Sequence, residues 1–223
     1  MSGKITSLKL QKRNRERVNV YLDGEFAFGL SKMVAGWLEV GQELSDEKIR
    51  QLAVEDEVEV AYQRALHFLS YRARAEKEIV DKLRKRETSD ETIDKVMERL
   101  QRNKLVDDRD FASLWVENRS EFRPRGKHVL RMEMRQKGIS EETIEDALED
   151  IDEESLAYRA AKKQARKYRA TDWEEFRRKL GAFLARRGFN YDISSTTVKK
   201  VWEENRLAAV ENNIGPNEVN HER

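Results

Sequence analysis

Eight basic side chains recur in pairs 51 positions apart: Arg72 with Arg123, Arg74 with Arg125, Arg84 with Arg135, and Arg86 with Lys137. Arg72, Arg74, Arg123 and Arg125 fall at a turn between helices, where helix propensity is no reason to find arginine. An array of equal units would display each pair as part of a row of cations. Rows suit a polymeric partner that repeats carboxylates or phosphates. The plainer alternative is that Arg and Lys are good residues for a solvated helix surface.

No other pattern supports chemistry. His67, His128 and His221 are far apart and none stands in an H-E-x-x-H spacing, so no metal is assigned. With no cysteine there is neither a disulfide nor a thiolate nucleophile. Phosphate-binding and nucleophile-elbow glycine motifs are absent from the sequence, so no catalytic residue and no cofactor follow, and an enzyme is not expected. Carboxylates, including the run Glu55, Asp56, Glu57 and Glu59, read as capping or solvated groups. Trp37, Trp115, Trp173 and Trp202 could stack on bases, but packing is the favoured reading of all four.

The elements that must position the basic rows show the same repeat. Ile79 and Leu83 fall on Leu130 and Met134, while Ile93, Val96, Met97 and Leu100 fall on Ile144, Ala147, Leu148 and Ile151, at the steps of one buried helical face. Leu180, Leu184 and Gly188 begin a looser third copy. In it Val198, Val201 and Trp202 match Ile144, Ala147 and Leu148 if four residues are inserted at Asn190 to Ile193. Helices are predicted at about 57–70, 75–86 and 89–102, then 108–120, 125–137 and 140–150, with the third copy starting near Asp152. Thr171-Asp172-Trp173-Glu174 would cap its middle helix and Gly188 would end it.

Upstream, Val18, Val20 and Leu22, then Phe26, Phe28 and Leu30, alternate as strands around Asp23-Gly24. Keeping both apolar sets on one face requires a three-residue connection that includes Glu25. Gln11 to Arg17 reads as an exposed basic turn. Ser31 to Leu38 reads as a short helix, and Ser45 caps a connector helix that leads into the acidic run. The fold class is therefore mainly α: an elongated array of three tandem three-helix repeats with a small N-terminal β-hairpin or sheet extension. The parts are residues 1–56 (extension and connector), 57–106, 107–151 and 152–206 (repeats), and 207–223 (a disordered tail).

Net charge is only +1, yet it alternates along the chain: +5 over residues 1–22, −7 over 23–60, +4 over 61–106, −5 over 107–152 and +6 over 153–206. A dedicated duplex binder would show a dominant basic balance. Alternation suits a protein partner, or a protein already coating nucleic acid. Lacking a signal peptide and any long apolar run, the chain is expected in the cytoplasm, with no membrane partner.

Three motifs carry a family resemblance: Tyr71-Arg72-Ala73-Arg74 before Glu76, Leu105-Val106-Asp107-Asp108 leading to Phe111-Ala112, and Lys137-Gly138-Ile139-Ser140. Over residues 57–206 the sequence resembles the RecX recombination-regulatory family. The stretches Val20-Tyr21-Leu22-Asp23-Gly24 and Phe26-Ala27-Phe28-Gly29-Leu30 resemble the amino-terminal extension of its longer members. The resemblance implies tandem three-helix repeats that act as a monomer on the RecA filament on single-stranded DNA, restraining strand exchange, ATP hydrolysis and repressor cleavage, with at most weak direct DNA contact. Two departures stand out: Ala75 where the family often has serine, and Trp173 and Glu175 in the columns of Arg72 and Arg74. A direct nucleic-acid module and a plain helical scaffold are the rival readings.

Overall fold

A computed structural model describes residues 2–168 and 172–213, and the chain divides into two compact units between Asp107 and Asp108. In the first unit, strands β1 (Gly3–Leu10), β2 (Arg17–Leu22), β3 (Glu25–Ser31) and β4 (Glu43–Leu44) form an antiparallel sheet in the order β3-β2-β1-β4. Asp23 and Gly24 both have positive φ, so a two-residue turn closes the hairpin and Leu22 faces Glu25. The expected three-residue connection is not used. The extra residue sits inside β3 instead, where Ala27 bulges between Phe26, opposite Tyr21, and Phe28, opposite Val20. Val18 still meets Leu30, and the buried face packs on Ala35, Leu38 and Leu52.

Helix α1 (Lys32–Ala35) is capped by the Ser31 hydroxyl. Helix α2 (Asp46–Leu69) then runs unbroken for 24 residues, where the sequence suggests a connector helix followed by another. Its acidic run is the reason it belongs to two cores at once. The Asp56 carboxylate accepts hydrogen bonds from the Ser31 amide and from Arg17, which also donates to the Gly29 carbonyl and so ties two strands to the helix. One turn on, buried Glu59 pairs with Arg99 at 2.6 Å. These carboxylates are ion-paired packing groups, contrary to the reading of the run as capping or solvated, and Arg17 is likewise engaged.

Helices α3 (Glu76–Arg84) and α4 (Asp90–Arg102) complete the first repeat around Ala61, Ala65, Ile79, Leu83, Ile93, Val96 and Leu100. In the second unit α5 (Asp108–Phe122), α6 (Lys127–Gln136) and α7 (Glu141–Leu148) repeat the pattern, followed by α8 (Glu153–Ala165), a 3-10 turn (Arg166–Tyr168), α9 (Trp173–Arg186) and α10 (Tyr191–Asn213). Each middle helix ends alike. Glu87, Gly138 and Gly188 take positive φ, and the next amide bonds back to Leu83, Met134 and Leu184. Two residues beyond the left-handed position, Ser89, Ser140 or Asn190 caps the third helix.

This shared turn corrects the third copy. Because Gly188 and Asn190 stand where Gly138 and Ser140 do, no insertion exists at Asn190 to Ile193. Buried Ser194, Thr197, Val198 and Val201 occupy the columns of Ile144, Ala147, Leu148 and Ile151. Polar Ser194 and Thr197 shift the apparent apolar pattern by a turn, and Trp202 is displaced from the column of Leu148 to a partly buried stack on Trp173 and Phe176. Asp172, whose carboxylate accepts the Glu175 amide, caps α9; Thr171 lies outside the described residues. Residues 207–213, read as disordered tail, continue α10, and 214–223 lie outside the described residues. Trp37, read as core, is 88% exposed.

Repeats two and three meet backbone to backbone. The Gly126 amide donates to the Arg187 carbonyl, and a Cβ on Gly126 would stand 2.1 Å from the Gly188 oxygen. Only glycine allows that approach.

Two substitutions test this account. Removing the buried carboxylate by Asp56→Ala leaves Arg17 and the Ser31 amide without their acceptor and is expected to cost about 2–4 kcal/mol in urea unfolding, the lower half of that range applying because Arg17 is part-exposed. Glu87→Gly relieves a left-handed residue with a Cβ and is expected to raise stability by about 0.5–1 kcal/mol.

Candidate partner-binding surface

The basic rows divide once carboxylates are placed beside them. Arg84 pairs with Asp90 at 3.0 Å, and Arg135 pairs bidentately with Glu141, the residue 51 positions after Asp90. This column is an ion pair across the turn between the middle and third helices. It holds Glu141 below the usual glutamate range, first through the hydrogen bond from Arg135, and it raises Arg135 correspondingly. Arg86 is exposed at the same turn with no carboxylate partner among the described residues. Its counterpart Lys137 lies 5.4 Å from the Trp115 ring centroid.

Around the earlier turn the two repeats differ. Arg72 reaches Glu78 at 2.9 Å and donates to the Ala73 carbonyl, while Glu78 also accepts the Ala75 amide, the half of a capping box that needs no serine; the other half, a side-chain oxygen for the Glu78 amide, is missing at Ala75. Arg74 lies over the Phe68 ring at 3.9 Å; burial, then the neighbouring Arg72 charge, lowers its pKa, but a guanidinium stays charged at any ordinary pH. Tyr71 is exposed and its hydroxyl meets His67.

In repeat two, Val129 occupies the Glu78 column, so Arg123 is exposed without a carboxylate among the described residues. Arg125 stands 3.9 Å from Glu133, whose other oxygen is taken by Trp115 and Arg119. The Nε atoms of Arg74 and Arg125, equivalent in the two repeats, are both buried without an acceptor. Arg187 joins this turn through its bond to the Pro124 carbonyl. Burial, then Arg125 and Arg123, lowers its pKa, which marks three cations facing one another. The eight residues thus lie around two turns of each repeat: Arg72, Arg84 and Arg135 as exposed ion-paired groups, Arg74 and Arg125 as half-buried stems, Lys137 beside the Trp115 ring, and Arg86 and Arg123 as cations without a carboxylate among the described residues.

Arg187, Glu78, Glu133 and Arg119 are absent from the sequence reading. Testing carboxylates at the 51-residue shift would have found the Asp90 and Glu141 column, and extending the basic rows to the third copy would have found Arg187, which precedes Gly188 as Arg86 precedes Glu87 and Lys137 precedes Gly138. In repeat three α9 starts four residues earlier than α6 does, so Trp173 and Glu175, in the columns of Arg72 and Arg74, lie in helix and not in a turn. Among the described residues no helix is long and apolar enough to cross a membrane, and no group of metal-ligating side chains occurs.

Comparison with known families matches residues 3–45 to the regulatory protein RecX N-terminal domain, and residues 61–100, 107–148 and 152–197 to the first, second and third three-helix domains of RecX. The regulatory protein RecX of Bacillus subtilis (strain 168) is 36% identical over 206 residues, covering 90% of this chain and 78% of the relative. That of Clostridium beijerinckii is 32% identical and covers 89% and 96%. A crystal structure of regulatory protein RecX superimposes with TM-score 0.71 at 32% identity over 88% of this chain and 98% of the other; RecX from Lactobacillus salivarius gives 0.58 at 28% over 66% and 97%.

A carboxylate whose folded pKa is depressed contributes stability above its unfolded pKa and loses it as pH falls through the folded value. Glu141 is therefore expected to titrate below ordinary glutamates when its side-chain carbon is followed by NMR, and Arg135→Gln is expected to move it back up. An unmoved Glu141 would remove the turn pair from this account.

Proposed function

The chain belongs to the RecX family of regulatory proteins, and from that premise we propose that it regulates RecA, mainly as an inhibitor, by binding the RecA filament on single-stranded DNA. The observation that carries this reading is the recurrence of arginine turns in repeats one and two, each with a half-buried guanidinium held beneath an exposed one. The half-buried Arg74 and Arg125 keep the turns rigid, and Arg86 and Arg123 present charge that no carboxylate of the described chain neutralises. A helical filament repeats its surface at each subunit, so contacts that are weak singly add along a tethered array. Binding one filament state better than another shifts its population, which lowers recombinase, ATPase and co-protease activity together. The protein works as a monomer in the cytoplasm without a cofactor and is not an enzyme.

ATP hydrolysis by RecA on single-stranded DNA, titrated with this chain, tests the proposal. Arg86→Glu with Arg123→Glu removes two exposed contacts of about 0.5–1.5 kcal/mol each and is expected to raise the half-inhibiting concentration about tenfold or more. Arg84→Gln, which touches a paired residue, should change it much less. Undiminished inhibition by the folded double variant would move the contact surface to the basic helices of repeat three.

A further inference from the structure

Trp37 is the most exposed large apolar side chain of the described residues, at 88%, and none of the three-helix repeats explains it. It follows Gly36 at the end of α1 and forms one wall of a groove of about 980 Å³ whose floor and far wall include Met33, Val60, Arg64 and His67. An indole costs free energy when left in water and has no structural role in that position. The charges around it are unbalanced. Lys32 and Arg64 line the groove without an ion pair among the described residues, whereas the acid Glu59 is neutralised by Arg99. The turn that borders the groove through Asn14 and Glu16 carries Lys12, Arg13 and Arg15, all exposed and unpaired among the described residues. A hydrogen bond from the Lys32 amide to the Glu16 carbonyl holds that turn against α1. Two free cations, Lys32 and Arg64, thus line the groove and three more, Lys12, Arg13 and Arg15, stand on the turn at its border, against one free carboxylate, Glu16. On the other side of the indole a second groove contains Gln51, Val54, Glu55 and Lys95, with Glu55 free and Lys95 paired to Glu91, so no such excess exists there.

We propose that the N-terminal module holds a single-stranded nucleic acid in this groove, with one base stacked on Trp37 and the adjoining phosphodiesters on Lys12, Arg13, Arg15, Lys32 and Arg64. A flat exposed ring beside a basic track is what sequence-tolerant single-strand binding uses, since every base has a face to stack and every nucleotide a charge. The site is separate from the arginine turns of the repeats, so it stands or falls apart from the regulatory reading above.

The test is fluorescence anisotropy of a labelled oligothymidylate with the whole chain. Trp37→Ala should weaken binding about five- to a hundredfold and Trp37→Phe only a few-fold, because a phenyl ring still stacks. Lys12→Glu, Arg13→Glu and Arg15→Glu together should flatten the dependence of log affinity on log salt by about 2, at roughly 0.7 for each lost phosphate contact. An exposed side chain can be removed without unfolding, and an unchanged circular dichroism spectrum checks this. Oligonucleotide binding that is immeasurable for the parent chain, or equal for Trp37→Ala and the parent, overturns the proposal. So does a Trp37→Ala variant that keeps the oligonucleotide but loses RecA free of DNA, which would give the indole to a protein partner.

Discussion

Every repeat turns on one backbone residue held at positive φ. After Leu83, Met134 or Leu184 the middle helix has to stop, reverse and hand the chain to a capped third helix within six residues, and a right-handed conformation cannot do this. The left-handed residue sends the following amide back to the helix and points the next side chain, Ile139 or Phe189, into the core. Ser89, Ser140 and Asn190 then meet open amides at the start of the third helix. From that geometry follow the placement of the ion pair between Arg84 and Asp90, its copy in repeat two, and the close approach of Gly126 to Gly188 that joins the last two repeats.

The three repeats and the hairpin were legible in the sequence because buried positions are apolar and periodic, and because Asp23-Gly24, the Gly138-Ile139-Ser140 turn and Gly188 have local chemical signatures. What escaped had other causes. A bulge at Ala27 and a three-residue turn give the same facing pairs from Val20 onward, so alternation could not choose between them. Ser194 and Thr197 are buried hydroxyls on short side chains, which a search for apolar residues passes over. Asp56 and Glu59 look like surface acids until Arg17 and Arg99 are brought from 39 and 40 residues away. Of the arginine columns, the recurrence was real, but recurrence alone did not separate an ion pair from a free cation.

That separation matters for function. An arginine already paired, like Arg135, would have to break one bond to make another, so it contributes little net affinity to a partner. One stacked or half-buried, like Arg74 over Phe68, shapes the backbone that a partner meets. Only those without a carboxylate offer their charge outright. The family's regulatory character and the mixed charge of this chain are consistent with such economy of contact, in which few groups bind and many more keep them in place.

Helix α2 also sets the order in which the chain can mature during synthesis. Its first half closes the sheet through Asp56, but Glu59 has no counter-ion, and cannot be buried at low cost, until Arg99 has left the ribosome. At about 5–20 residues per second, that interval of forty residues lasts a few seconds. During it the finished sheet holds one end of a helix whose other end has nothing to pack against. The second half of α2 is therefore open to proteases and chaperones for as long as the first repeat is incomplete.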